Sequence, residues 1–373
     1  MSTVADAVIV GGGPAGATCA RALTRAGMDV LLLDRKPFPR DKVCAGWITP
    51  AVLATLDIDP GDYARERVIQ PIRAFRTGMI EGPAVVNRYN EVVSYGIRRF
   101  EFDDYLLGRC GARLALGENL DTLERVPNGW LINGRIRTPL LIGAGGHYCP
   151  VARHLGADLG RNEHPVTAQE VEFALSPEQQ ARCAVGEDTP ELYFTPDLKG
   201  YGWCFRKGDW LNVGLGREAG GNLGRDLSEF VAWLKSEGRI PQDIPTHFHG
   251  HAYLLHRRPS PRPRYTERAL LIGDAAGLAY AQSGEGIRPA VESALLAAET
   301  IIEAQGDYRP VRLRDYEERL RARLGPGQRL GLPLPRSWRR ALGQWVLGSP
   351  VLTRRLVLDR WFLHRHVPAL RPA

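Results

Sequence analysis

No C-x-x-C pair occurs in this chain of 373 residues, and its six cysteines (Cys19, Cys44, Cys110, Cys149, Cys183 and Cys204) are widely scattered. That spacing gives neither a zinc site nor a disulfide framework. Reduced thiols of a cytoplasmic protein are the expectation. Long apolar runs are missing too. Asp274, Glu285 or paired arginines break the best candidates, so no bilayer span is expected. There is no low-complexity tract and no nucleic-acid-binding motif. The first residues pass into an acidic, then apolar stretch without a basic leader, so no signal peptide is expected. The length suggests two domains, or one elaborate one, with an ample core. Acids are scarce only at one end: Gly306–Ala373 holds fifteen arginines against five acids, so the net charge of +7 belongs to that region.

The stretch ADAVIVGGGPAGATCARALTRAGMDVLLLDR is the most informative. Ala7–Val10 reads as a buried parallel strand. Gly11, Gly13 and Gly16 then fit G-x-G-x-x-G. Ala15–Ala26 has helical composition, and Asp29–Leu33 reads as a second strand ending in Asp34, followed by Arg35. Glycines permit the tight turn and let backbone approach a pyrophosphate, the helix N-terminus supplies N–H donors, and Asp34 can accept hydrogen bonds from ribose hydroxyls. Strand, glycines, helix and an acid about 20 residues on make a dinucleotide-binding fingerprint. The charge of Asp34 disfavours a 2′-phosphate, hence NADP, at this position. No second such fingerprint occurs.

FAD and NAD are separated by a downstream stretch, RALLIGDAAGLAYAQSGEGIRPAVESALLAAETI. A buried strand over Leu270–Ile272 ends at Gly273-Asp274, and Gly284-Glu285-Gly286-Ile287 opens a long helix. This resembles the second flavin motif of p-hydroxybenzoate hydroxylase-type flavoproteins. The resemblance implies that Asp274 meets the ribityl–pyrophosphate part of FAD and that Gly284, Gly286 and Ile287 lie by the pyrimidine edge. There a helix N-terminus stabilises the anionic reduced ring. Arg99 matches the arginine that precedes a helix near the flavin. LLIGAGGHYCPVAR falls where these proteins carry a G-A-D-G-x-x-S-x-x-R segment, with Gly145 replacing the aspartate; its expected role is a strand end close to the first glycine loop.

Two further segments resemble the geranylgeranyl reductase branch. In RDKVCAGWITP, Lys42, Cys44 and Gly46 match K-x-C-G-G, with Ala45 replacing the first glycine. In LKGYGWCFRKGDWLNVGLG, Gly200, Tyr201, Trp203, Phe205, Gly208 and the N-V-G-x-G run match that branch's paired strands, with Arg206 in place of a proline. The resemblance implies FAD held by Gly11, Gly13, Pro14, Ala15, Gly16, Asp34, Arg35, Lys42, Cys44, Ala45, Arg99, Gly273, Asp274, Gly284, Gly286 and Ile287. It also implies hydride transfer from reduced flavin to an isoprenoid double bond, with NADPH or a ferredoxin-like donor charging the flavin. Cys44, Tyr201 and Trp203 are the candidate catalytic residues; Trp47, Tyr201, Trp203 and Phe205 are the candidate substrate contacts. From the residues alone, Tyr201, Trp203 and Phe205 alternate onto one strand face. That face can line an apolar pocket or pack a core. Cys44 is either a proton donor with Arg40 and Lys42 nearby, or a small thiol packed under a loop.

The expected fold is α/β. A Rossmann-type FAD-binding domain spans 1–70, 95–160 and 262–305. A β-rich substrate domain over 71–94 and 161–261 is inserted in it, and a basic helical tail covers 306–373. His247, His249 and His251 alternate but lack the remaining pattern of a metal site, and no metal is expected. Glu170 and Glu172 alternate likewise and are expected to face solvent. The tail can lie on an anionic membrane, cap the substrate channel or only pack with solvated arginines. The expected location is therefore cytoplasmic, with peripheral membrane contact open. The competing functions are a flavin monooxygenase acting on an apolar or polycyclic compound and a membrane-surface flavoprotein handling polyprenyl lipids. The sequence leaves the oligomeric state open.

Overall fold

The computed structural model describes residues 3–158, 163–218, 221–327 and 336–371; residues 328–335 of the basic tail lie outside the described residues. The strand Ala7–Val10 is buried along its whole length, as a strand covered on both faces must be. It pairs in parallel with Val30–Asp34 on one side and Leu141–Gly143 on the other. The sheet runs in the order Tyr265–Thr266, Ala269–Leu271, Leu141–Gly143, Ala7–Val10, Val30–Asp34, Arg113–Leu116. The glycine loop and the Gly273-Asp274 turn thus leave the sheet at the same, carboxyl-terminal edge, where ligands of open α/β sheets bind.

Two helices follow those two turns. Pro14–Arg25 begins with a proline, which is tolerated where a helix has no N–H partner to lose. Ile287–Ala304 has no acid in its first turn; Asp274 lies beside its N-cap Gly286. The two helices pack against each other.

A seven-stranded sheet runs His249–Tyr253, Val166–Ala174, Trp210–Glu218, Gly200–Lys207, Glu191–Phe194, Ala74–Met79, Ala84–Arg88. Its long strands are antiparallel: Val166–Ala174 pairs with Trp210–Glu218, which pairs with Gly200–Lys207. A small sheet of Trp47–Ile48, Ser94–Ile97 and Ile69–Ile72 lies between the two large ones in the chain's course. One face of the seven-stranded sheet, through Trp203 and Phe205, belongs to an aromatic core. The other, through Cys204 and Val213, packs on the helix Leu223–Ser236.

The basic tail folds back on the body. Arg319 pairs with Glu299 and Glu303, and Arg323 with Glu292, so part of its charge is neutralised by the preceding helix. Helix Arg336–Gly348 lies against Ala74–Met79 and Ala84–Arg88. A π-helical segment, Thr353–Phe362, then enters the aromatic core and buries Val357, Leu358 and Phe362. The segment packs on the body and places Phe362 in the wall of a cavity.

Candidate active site

A cavity of about 820 Å³ begins at the glycine loop and ends among aromatic rings of the seven-stranded sheet and the tail. At the first end Gly11 has φ +115°, and a side-chain carbon there would stand 2.4 Å from the Ala144 carbonyl oxygen; at Gly16 one would stand 1.8 Å from Gly11 O. Both positions exclude any other residue. The expected contact between the Leu141–Gly143 strand end and the glycine loop is thereby present. Asp34 accepts hydrogen bonds from the amides of Gly12 at 2.8 Å and Lys36 at 3.0 Å. Its carboxylate keeps further acceptor sites toward the cavity, which it lines with Arg35.

Midway, basic groups gather. Arg99 forms a bidentate pair with buried Asp103 at 2.6 and 2.7 Å, and Arg40 approaches the same acid at 3.4 Å. Lys42 Nζ lies 3.0 Å from His251 Nδ1, and His251 Nε2 lies 3.7 Å from Asp274. Burial, and then the charge of Arg99, push the Lys42 ammonium down to about 8. Burial also lowers His251, despite its bond to Asp274. Burial alone would raise the Asp274 carboxyl, but His251, Lys42 and Arg99 outweigh it and hold it below the usual range. Acid at one end, guanidinium, ammonium and helix N–H groups in the middle, and a second helix N-terminus at Ile287 form a donor set that fits the ribose, pyrophosphate and ring of FAD. When bound, FAD supplies two-electron hydride chemistry.

Cys44 sits partly buried on the cavity wall. Its Sγ accepts from the Gly46 amide at 3.4 Å, and its own amide donates to Glu170 Oε1 at 2.5 Å. The expectation that Glu170 faces solvent is wrong. Glu170 is 5% exposed and lines the cavity, because the RDKVCAG turn covers that face of the sheet. Its neighbour on the same face, Glu172, is also enclosed: it pairs with fully buried Lys207 and accepts from Asn212 at 3.1 Å. Burial pushes the Glu170 carboxyl up to about 7, against the opposing charge of Lys207.

At the far end Trp47, Tyr201, Trp203, Tyr253 and Phe362 line the wall. Phe362 lies 5.5 Å from Trp47 and 5.2 Å from Tyr201, ring centre to ring centre. Trp203 donates its Nε1–H to Asn212 at 2.7 Å, and Tyr201 donates to the Ser283 carbonyl at 2.5 Å. Their polar atoms are thus satisfied within the protein, which leaves apolar ring surface for the cavity. The three rings share a strand face as alternation requires, yet Phe205 does not reach the cavity. It is 2% exposed and packs on Gly96 and Lys207. Gly16 and Gly273 also stand behind the wall, in contact with Gly11 and with Ala15 and Ala290 respectively. The other expected cofactor positions, including Gly13, Pro14, Ala15, Ala45, Gly284, Gly286 and Ile287, line it.

Wall residues missed by the reading of sites from sequence include Glu170, His251, Tyr253, Glu285 and Phe362. His251 was set aside with its neighbours, but only it turns inward; His247 and His249 are exposed. Glu285 sat inside a recognised motif, where the glycines drew attention. Both of its carboxyl oxygens are buried without a partner, and burial pushes it up to about 8. Nothing in the sequence signals Phe362, which lies more than 150 residues beyond Tyr201.

The FAD dependent oxidoreductase family matches residues 6–100. Menaquinone reductase of Mycobacterium tuberculosis is 30% identical over 338 residues, covering 80% of this chain and 76% of that protein. The chloroplastic geranylgeranyl diphosphate reductase of Oryza sativa subsp. japonica is also 30% identical, over 79% of this chain and 65% of that protein. Among solved structures, a geranylgeranyl bacteriochlorophyll reductase-like protein of Thermoplasma acidophilum superimposes with a TM-score of 0.75. The match covers 98% of this chain and 93% of that one at 19% identity, a likeness of fold. With a glycine loop, an acid and a second flavin motif meeting at one sheet edge, and a relative aligned along most of its length, the chain belongs to the family of menaquinone reductase, among the FAD-dependent oxidoreductases.

Proposed function

We propose that the protein reduces carbon–carbon double bonds of an isoprenoid chain, taking hydride from reduced flavin. The observation that carries this reading is one cavity with two characters. Its glycine-loop end offers the donor set for FAD, and it continues without a break past Cys44 into an aromatic compartment walled by Trp47, Tyr201, Trp203 and Phe362. Such a compartment suits an apolar, flexible chain and offers no cationic group for a polar one. The names of the relatives point the same way, since menaquinone and geranylgeranyl diphosphate both carry prenyl chains. In this reading Cys44 gives the proton, and Trp47, Tyr201 and Trp203 hold the chain. A nicotinamide or ferredoxin-like donor charges the flavin without a second dinucleotide fold.

The reading extends to the surface. Leu342 (50% exposed), Trp345 (65%) and Val351 (58%) stand outward on the tail beside exposed Arg340, Arg354 and Arg355. Apolar side chains rimmed by arginine suit the headgroup layer of an anionic membrane. No helix among the described residues is long and apolar enough to cross one.

The test is anaerobic. The flavin of the purified protein is reduced, geranylgeranyl diphosphate is added, and flavin absorbance is followed. Reoxidation is the expected outcome. A flavin that stays reduced until air enters, and then passes through a hydroperoxide-like spectrum, would instead establish the monooxygenase.

A further inference from the structure

Glu170 has two oxygens with different fates. Oε1 accepts the Cys44 amide, while Oε2 is buried and has no hydrogen-bond partner. A buried unpartnered carboxyl oxygen is costly unless something fills the gap or the group carries a proton. The surroundings favour the proton. Lys207 is committed to Glu172, whose own charge also disfavours a second carboxylate, and Asn212, which donates to Glu172 at 3.1 Å, is shared between the two acids. His249 stands opposite Glu170 in the strand register but is exposed, and Gly214, opposite on the other side, offers no side chain. Burial holds the carboxyl up at about 7, so it gains and loses its proton near neutrality.

We propose that Glu170 is the proton reserve of the Cys44 turn: Oε1 positions the turn through its amide, and Oε2–H restores the proton that the thiol gives up. This rests on the reductase reading. Saturating a double bond takes one hydride and one proton. Bound FAD would supply the hydride. The proton would leave Cys44 Sγ for the adjoining carbon; because Sγ is not among the hydrogen-bond partners of Oε2, Glu170 would return a proton to the thiolate through a water in the cavity, and bulk water would recharge the carboxylate. Glu170 acts through Cys44 and is a positioning and proton-supplying residue.

One readout needs no substrate. In the flavin-loaded protein, iodoacetamide alkylation of Cys44 is followed by peptide-resolved mass spectrometry from pH 5 to pH 9. As Glu170 ionises beside the turn, its negative charge opposes the thiolate, so the wild-type profile should show two limbs, one near neutrality. Glu170→Gln keeps an oxygen for the Cys44 amide and loses the proton. Its profile should collapse to a single limb shifted to lower pH. A single limb in the wild type, or an unchanged profile in Glu170→Gln, overturns the proposal, and the wild-type result stands even if the variant folds poorly. The second readout uses geranylgeranyl diphosphate. Glu170→Gln should complete its first turnover at close to the wild-type rate and slow later ones by about tenfold or more, within the range of lost acid–base assistance. A first turnover slowed as much as the later ones marks a merely structural role and overturns it. If the wild-type flavin is not reoxidised at all, the reductase reading fails, and the alkylation profile alone decides whether Glu170 exchanges a proton beside Cys44.

Discussion

At the scale of single residues, Cys44 decides more than any other position. Its thiol stands on the cavity wall between the cofactor end and the aromatic end, and its backbone is fixed by Glu170 and Gly46. Replacing sulfur by oxygen keeps the size and the turn but gives a far weaker acid. Cys44→Ser should therefore retain flavin and lose most turnover with a prenyl substrate, measured as flavin reoxidation under anaerobic conditions; undiminished reduction would remove the thiol from the chemistry. The residues legible beforehand were those with local signatures: the glycines, Asp34, Cys44 in its basic turn, and the alternating rings. Glu170 and Glu172 were misread because alternation reports only that two side chains share a face. It says nothing of what covers that face, and here the cover is a turn more than 120 residues away in the chain.

At the scale of elements, the parallel strands and the two helix-opening turns followed from local pattern, since each motif carries its own strand and helix. The tail did not. A basic, aromatic sequence is compatible with a lid, a membrane anchor or a solvated face, and long-range contacts select between them. Arg288 donates to the carbonyls of Val367 and Pro368, Tyr89 donates to Asp359 at 2.9 Å, and His364 lies over Tyr280 at 3.9 Å between ring centres. These ties hold Phe362 in the cavity wall while the preceding helix turns Leu342 and Trp345, three residues apart, to the outside. One segment thus joins the aromatic compartment to an exposed apolar face. Trp345→Asp places a charge on that face without touching the cavity. It should abolish co-sedimentation with vesicles containing phosphatidylglycerol and leave flavin content and anaerobic reoxidation by a soluble prenyl diphosphate unchanged. Equal sedimentation of both proteins would show that the face serves something else.

At the scale of the whole molecule, a cavity lined by buried acids couples folding to pH. Glu285 carries both carboxyl oxygens buried without partners, and burial lifts it to about 8, with Arg288 opposing. In the unfolded chain the same group titrates near 4.5. The folded state therefore binds this proton more tightly than the unfolded state. Its contribution to stability is fully present below about pH 4.5 and is lost as pH rises through 8. Glu170 acts in the same sense, over a window that closes near 7. Glu285→Gln keeps the shape and removes the titration. Wild type and variant should melt together at pH 4, and the variant should be the more stable at pH 9. The gap should be on the order of 2 kcal/mol, roughly 2–4 °C, below the full shift because a ligand cavity admits water. The ordering of the two melting curves is the diagnostic: a variant less stable than wild type at pH 9 would mean that Glu285 is ionised and held by Arg288 in the folded protein, and that the cavity wall carries a negative charge where a neutral acid is expected.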